Sequence, residues 1–282
     1  MIKFSGFADE AGKDIDTQIK ATKELGWSAI DLRFINGVNV TDVDDVTFED
    51  AANKLIENGI EVPCFGSAVA NGKDPLNSAD VEYCFAALER AVPRMKKLGT
   101  KYIRGMAFVY HTELSRKENE KLIFPLMRKI VSYCEENDIV YLCENCGGYA
   151  VSSYDCLLKL KKEINSKSFA FVYDTGNVVG ASTVYDDGRL EPLDPIKYYD
   201  LIKDHIDYVH IKDQIATAGE KPTRTYPGEG DGEVVKILTD LILSGYDGNI
   251  AIEPHMGKGY DGYIEYGRRT MKIINEIKNS TK

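Results

Sequence analysis

The chain has 282 residues, 43% of them apolar and 28% charged, which is enough material for a sizeable core in an ordinary globular balance. Its formal net charge of −10 comes without a long basic tract, so a nucleic-acid partner, which needs a dense Lys/Arg footprint, is not expected. No apolar stretch approaches the roughly 20 residues that cross a bilayer, and MIKFSGFADE lacks a basic region followed by a long apolar run. Neither a membrane partner nor a cleaved signal is therefore expected. The six cysteines are scattered, unlike a small disulfide framework, and read as reduced thiols of a cytoplasmic protein.

Short apolar runs alternate with segments of helical spacing along the whole chain. KFSGFA near residues 3–8 reads as a first strand. In IDTQIKATKEL, Ile15, Ile19, Thr22 and Leu25 share one helical face, and Gly26 follows as a stop. AIDLRF (29–34) is the second expected strand, and FEDAANKLIENG the second helix. EVPCFGS (61–67) precedes VEYCFAALERAVPRMKKLG, a helix that Pro93 should kink or interrupt. KYIRGMAF (101–108) is followed by the helical NEKLIFPLMRKIVSYCEEN.

Four further strands complete the series: VYLCEN, FAFVYD, DYVHIKD and NIAIEP, rich in β-branched and aromatic residues. The helical segments YDCLLKLKKEI, DPIKYYDLIKDH, GEVVKILTDLILSG and DGYIEYGRRTMKIINEI follow them in turn. Parallel strands need a crossover between them, so eight strand–helix units predict a single α/β domain over 1–282, a (β/α)₈ TIM barrel. An open doubly wound sheet is the alternative, but no G-x-G-x-x-G follows the first strand.

The last four strands end at Glu144, Asp174, His210 and Glu253, spaced 30, 36 and 43 residues apart, about one strand–helix–strand unit each time. Equivalent ends of neighbouring strands would bring these side chains together. Three carboxylates and an imidazole at one point repel unless a cation sits among them, so a divalent metal site is expected. Barrel enzymes place their chemistry at these C-terminal strand ends. Glu10, Arg33, Arg104, Asn177, Lys212 and His255 fall there too and are candidates for substrate contact. Salt bridging is the plainer alternative for the three cations; capping the first helix or anchoring an arginine is the plainer one for Glu10. Strand alternation puts Lys212 on the face of His210 if extended geometry continues, where it could neutralise developing negative charge or hold a substrate carboxylate or phosphate.

Other features carry less. Cys143 and Cys146 form a C-x-x-C around Glu144, but no second pair accompanies them. PGEGDG (227–232) resembles a phosphate cradle by its glycines alone and reads as a flexible loop, although barrel phosphate sites often follow strands seven and eight. His111 and His205 suggest surface or structural roles, and Trp27 suggests packing.

At GFADE (6–10), IDLR (30–33), CEN (143–145), YDTGN (173–177), VHIKD (209–213), PGEGDG and IAIEPH (250–255) the chain resembles the xylose-isomerase-like TIM-barrel superfamily, the sugar phosphate isomerase/epimerase family. The resemblance implies one divalent ion on Glu144, Asp174, His210 and Glu253, with Mn²⁺ expected and Mg²⁺, Co²⁺ or Zn²⁺ as alternatives. It also implies that Glu144 and Glu253 form an acid–base pair, one on each face of a bound sugar. Asn177 departs from the pattern of ketose epimerases and related endonucleases, which commonly carry a histidine there; asparagine hydrogen-bonds but does not transfer a proton at neutral pH.

The function expected is a metal-dependent isomerase or epimerase on a small sugar or sugar derivative, moving a proton through a metal-stabilised enediolate. A lyase acting on a keto-polyol, as in keto-inositol dehydration, is the main alternative. A non-catalytic sugar-binding protein stands behind it, and a DNA-repair endonuclease is disfavoured by a total of four histidines. Homo-oligomerisation is left open.

Overall fold

The structure is a computed structural model and describes residues 2–280. Seven parallel strands form one sheet: β1 (Lys3–Gly6), β2 (Cys64–Gly66), β3 (Tyr102–Gly105), β4 (Val140–Glu144), β5 (Phe169–Asp174), β6 (Ile206–Ile211) and β7 (Asn249–Ile252). Their order is β1-β7-β6-β5-β4-β3-β2. Helices α1 (Ile15–Glu24), α2 (Asp45–Glu57), α3 (Ser78–Leu98), α4 (Arg116–Glu136), α5 (Cys156–Ile164), α6 (Pro195–Ile202), α7 (Val234–Leu243) and α8 (Gly259–Ser280) alternate with them. This is the α/β TIM barrel read from the sequence.

The second expected strand is the main departure. Residues 29–32 stand between β1 and β2 and close the ring through isolated bridges, Ala29 to Glu61 and Leu32 to Phe65. The Asp31 amide donates to the Gly6 carbonyl at 3.1 Å, and the Ile30 and Leu32 amides donate to Glu61 and Cys64 at 2.9 and 3.1 Å. The ladder stops there because the chain turns away into a small hairpin pairing Phe34–Ile35 with Val38–Asn39. The third run is likewise shorter than expected, since Pro63 has no amide to donate to a ladder. The run KYIRGMAF contracts to β3.

Pro93 does not interrupt α3, which is continuous from Ser78 to Leu98. Both Pro93 and Glu89, whose carbonyl loses its helical partner, are exposed, so water can satisfy the freed oxygen. Side chains of Asp14, Asp44, Asn77, Ser115 and Asp194 accept amide hydrogen bonds at helix starts. Each such cap stabilises its helix by about 1 kcal/mol. Trp27 packs on Phe4, with centroids 6.2 Å apart. His111 clamps the loop after β3, lying 2.9 Å from Asp74 and 3.0 Å from Glu113.

What matters for the site is strand parity. Tyr141, Phe171, Val209 and Ile250 point outward into the large core between sheet and helices. Leu142, Val172, Tyr208 and Ala251 form a second apolar cluster inside the ring with Cys64 and Ala170. Successive side chains alternate across a strand, so the next inward position on each is Glu144, Asp174, His210 and Glu253. The polar group is the layer directly above the barrel's apolar plug.

Candidate active site

The four expected ligands do converge. One donor atom from each of Glu144, Asp174, His210 and Glu253 lies within 4.8 Å of the others. All four side chains are essentially buried, Asp174 and His210 completely. Glu144 Oε2, Asp174 Oδ2 and both nitrogens of His210 make no well-formed hydrogen bond, though Arg104 Nε and Lys212 Nζ pair with the two oxygens at 2.9 Å and His210 Nδ1 lies 3.4 Å from Glu253 Oε2. Three carboxylates and an imidazole crowded in one buried layer offer the oxygen and nitrogen donors that a divalent cation takes. The donor set therefore fits a metal.

Local backbone fixes this geometry. Asp174 sits opposite His210 in the β5–β6 register. Its amide donates to Asn145 Oδ1 at 2.7 Å, and Asn145 Nδ2 donates to its carbonyl at 2.9 Å. The amides of Gly176 and Asn177 hold Asp174 Oδ1, both at 2.8 Å, which leaves Oδ2 to face the centre. Asn177 Nδ2 also donates to Glu144 Oε1 at 2.9 Å.

The expected cations ring the same carboxylates. Lys212 Nζ is 2.9 Å from Asp174 and 3.4 Å from Glu253, although β6 ends one residue before it. Arg104 Nε is 2.9 Å from Glu144 Oε2, and its Nη2 is 3.5 Å from Glu253 Oε1. Arg33 Nη1 lies 3.1 Å from Glu253 Oε1, while Nη2 pairs with Asp9 at 2.8 Å and Glu10 at 3.2 Å. His255 adopts a left-handed backbone, φ 50°. Its amide and Nδ1 meet Glu10 at 2.6 and 3.2 Å, and Nε2 reaches Glu253 at 3.0 Å. Glu10 thus anchors Arg33 and His255, and Asp14, not Glu10, caps α1.

These contacts divide the protonation states. Burial raises the Glu253 carboxyl, but Lys212, His210 and His255 outweigh it and hold it well below the usual range. Glu144 is also lowered, by Arg104 against burial. Burial pushes Asp174 up to about 7 despite Lys212. Burial disfavours a charged His210, yet Asp31, Glu144 and Glu253 raise its pKa well above normal. The surrounding carboxylates thus favour the charged form of the imidazole.

Arg33, Arg104, Lys212, His255 and the two glutamates line a cavity of about 180 Å³. That is below the roughly 300–1,000 Å³ of drug-sized sites and suits a small molecule. The family model of the xylose isomerase-like TIM barrel matches residues 19–277, nearly the whole chain. The chain belongs to that family.

Solved structures of similar fold agree. A D-tagatose 3-epimerase-like protein matches with a TM-score of 0.79 at 16% identity, covering 100% of both chains. A xylose isomerase-like TIM-barrel protein from Mycobacterium smegmatis, in complex with magnesium, matches with a TM-score of 0.73 at 13% identity over 98% of this chain and 97% of that one. The probable 3-DHS dehydratase AsbF of Bacillus anthracis, involved in petrobactin synthesis, gives 0.73 at 15% over 96% and 99%. At these identities the likeness is one of fold. No curated protein matches the sequence.

Three features of this xylose isomerase-like barrel escape a sequence reading. Asp31, completely buried, accepts from Ser5 Oγ at 2.7 Å and Tyr208 Oη at 2.6 Å through Oδ1, and Oδ2 faces His210 Nε2 at 3.7 Å. A carboxylate on the far nitrogen orients a metal-binding histidine and fixes its tautomer. Asp31→Asn is therefore expected to weaken divalent-metal affinity by roughly 10–100-fold, read by metal titration; unchanged affinity would exclude this role. Its only sequence signal is an acid in the apolar run AIDL.

PGEGDG is neither a flexible loop nor a phosphate cradle. The amides of Gly228, Gly230 and Gly232, with that of Gln214, all donate to the Asp213 carboxylate at 2.8–3.0 Å. An internal anion fills the nest. Phe7 is the third feature: its ring carries Arg33 on its face at 4.3 Å and Arg104 at 5.1 Å, and meets His210 edge-on at 5.0 Å. Of the C-x-x-C pair, Cys143 is buried on the outward face, and burial pushes the pocket-lining Cys146 up to about 12. Neither thiol ionises readily near neutral pH.

Proposed function

We propose that the protein is a divalent-metal-dependent isomerase or epimerase of a small sugar or sugar derivative. One observation carries this reading. Of the four converging ligands, Glu144 and Glu253 line the cavity, whereas Asp174 and His210 are sealed beneath it. Two carboxylates thus face both the cation position and the substrate, and two groups serve the cation alone. A bound divalent ion, for which this mixed oxygen and imidazole set admits Mn²⁺, Mg²⁺, Co²⁺ or Zn²⁺, would supply positive charge beside the developing oxyanion.

The protein's own residues do the rest. Glu253, kept ionised by its neighbours, is poised to take the proton from the carbon next to a carbonyl. Glu144, reached by Arg104 and Asn177, is the partner that handles the proton on the other face. Lys212 and Arg104 lie where negative charge grows, Arg33 and His255 fix the orientation of Glu253, and Asn177 can bind a hydroxyl.

Incubating metal-loaded protein with ketoses, inososes and sugar phosphates in D₂O tests this directly. Deuterium is expected at one carbon of one class, with substrate mass otherwise conserved. No exchange anywhere in the panel, with metal demonstrably bound, would point to a binding protein. The fold shared with a probable dehydratase favours a lyase as the second reading, in which the same proton loss is followed by departure of water and the product is 18 Da lighter, roughly one water mass.

A further inference from the structure

We infer that Asn71 selects the substrate, its carboxamide binding an uncharged terminal hydroxyl of the sugar; this rests on the reading of the cavity at Glu144 and Glu253 as the sugar site. Asn71 is an exposed residue of the loop after β2 and lines that cavity. With residues 29–32 counted as a strand of the ring, β2 lies four strands from β6 in either direction, so Asn71 stands across the mouth from Lys212. No described residue hydrogen-bonds its carboxamide, and its backbone amide donates to the Ala68 carbonyl at 3.2 Å. The other polar groups of the wall are spent. Arg33, Arg104, Lys212 and His255 each pair with carboxylates of the protein. Asn39 donates to the Gly66 carbonyl at 3.0 Å and accepts from Thr41, while Ser67 Oγ donates to the Arg104 carbonyl at 2.6 Å. Asn71 keeps both a donor and an acceptor uncommitted. A turn asparagine ordinarily bonds its own backbone or takes the left-handed position. Here the left-handed residue is Ala70, φ 56°, whose amide donates to Cys84 Sγ at 3.2 Å and whose carbonyl accepts from the Phe108 amide at 3.2 Å. The turn is thus locked without help from the asparagine side chain.

A carboxamide offers a donor and an acceptor, and a sugar hydroxyl can answer both. It supplies no charge. Because Arg33, Arg104 and Lys212 are already paired, a phosphate or carboxylate at that end would lose water without gaining a counter-ion. Barrel phosphate sites often follow strands seven and eight, but the glycine-rich run there spends its amides on Asp213. Phe34, Ala68 and Met106, from the same and adjoining loops, add apolar surface for the carbon-bound hydrogens of a sugar. The class indicated is a neutral ketose whose end remote from the glutamates carries a free hydroxyl.

Calorimetric titration of the Mn²⁺-loaded protein with fructose, psicose, sorbose, tagatose and their 6-phosphates tests this. The ketohexose that binds best is expected to bind more tightly than its 6-phosphate. Asn71→Ala should weaken that sugar roughly 3–10-fold, the worth of one neutral hydrogen bond, and leave Mn²⁺ affinity and thermal unfolding unchanged. Asn71→Lys should strengthen binding of the 6-phosphate roughly 10-fold, because a charge-assisted hydrogen bond replaces a neutral one. A wild-type preference for a 6-phosphate, sugar affinity unmoved by Asn71→Ala, or no gain for the phosphate in folded Asn71→Lys would each overturn the inference. Failure of the metal-loaded protein to bind any of the ketohexoses would do the same. Deuterium exchange into a ketohexose whose affinity Asn71→Ala leaves unmoved would sink this inference alone. Ketohexose binding that depends on Asn71, without exchange on any carbonyl compound, would sink the isomerase reading alone.

Discussion

Glu253→Gln is expected to lower turnover by roughly 10²–10⁴-fold, the usual contribution of a positioned general base, while the barrel stays folded. The substitution keeps an oxygen for the cation and removes the ability to accept a proton. Five donors crowd the native carboxylate: Arg33, Arg104 and His255 on Oε1, Lys212 and His210 on Oε2. A glutamine amide must turn its NH₂ toward one of these groups, so some loss of stability and metal affinity should accompany the kinetic loss. The measurement is exchange or turnover at saturating metal, with bound metal counted. Near-normal rates with metal in place would remove Glu253 as the base and leave Glu144 as the candidate.

Asp213→Ala should be the most damaging substitution for stability outside the apolar core. Four amides converge on a completely buried carboxylate. Removing it leaves those donors without an acceptor, and breaking a buried charged constellation costs about 3–5 kcal/mol. For a chain of this size that lowers Tm by roughly 10 °C. Gly230→Ala should be damaging through the same contact, because a Cβ there would lie within 2.4 Å of Asp213 Oδ1. A melting curve of Asp213→Ala superimposable on wild type would show that the loop holds itself without the carboxylate.

The barrel and the convergence of Glu144, Asp174, His210 and Glu253 were legible in the sequence because both follow from short periods. Alternation along a strand places Leu142 and Glu144, or Tyr208 and His210, on one face, and regular spacing of strand–helix units brings those faces together. The features that escaped depend on meetings across the ring. Asp31 acquires its place through Ser5, Tyr208 and His210, which come from two other strands. The glycine run resembled an anion cradle because it is one, but its anion is supplied by the chain at Asp213. Pro93 misled because a local steric rule cannot register that the freed carbonyl faces water.

The ring of Phe7 has a thermodynamic consequence. Two guanidinium groups lie over one buried ring and the imidazole of His210 meets it edge-on, so both arginines and the histidine share a mechanical support. Any shift of Glu144 or Glu253 that accompanies ion capture alters what Arg104 and Arg33 have left to offer. On the proposed function, ion and substrate binding would then be linked, and the linkage is reciprocal: whatever factor the ion adds to the affinity for substrate, the substrate returns to the ion.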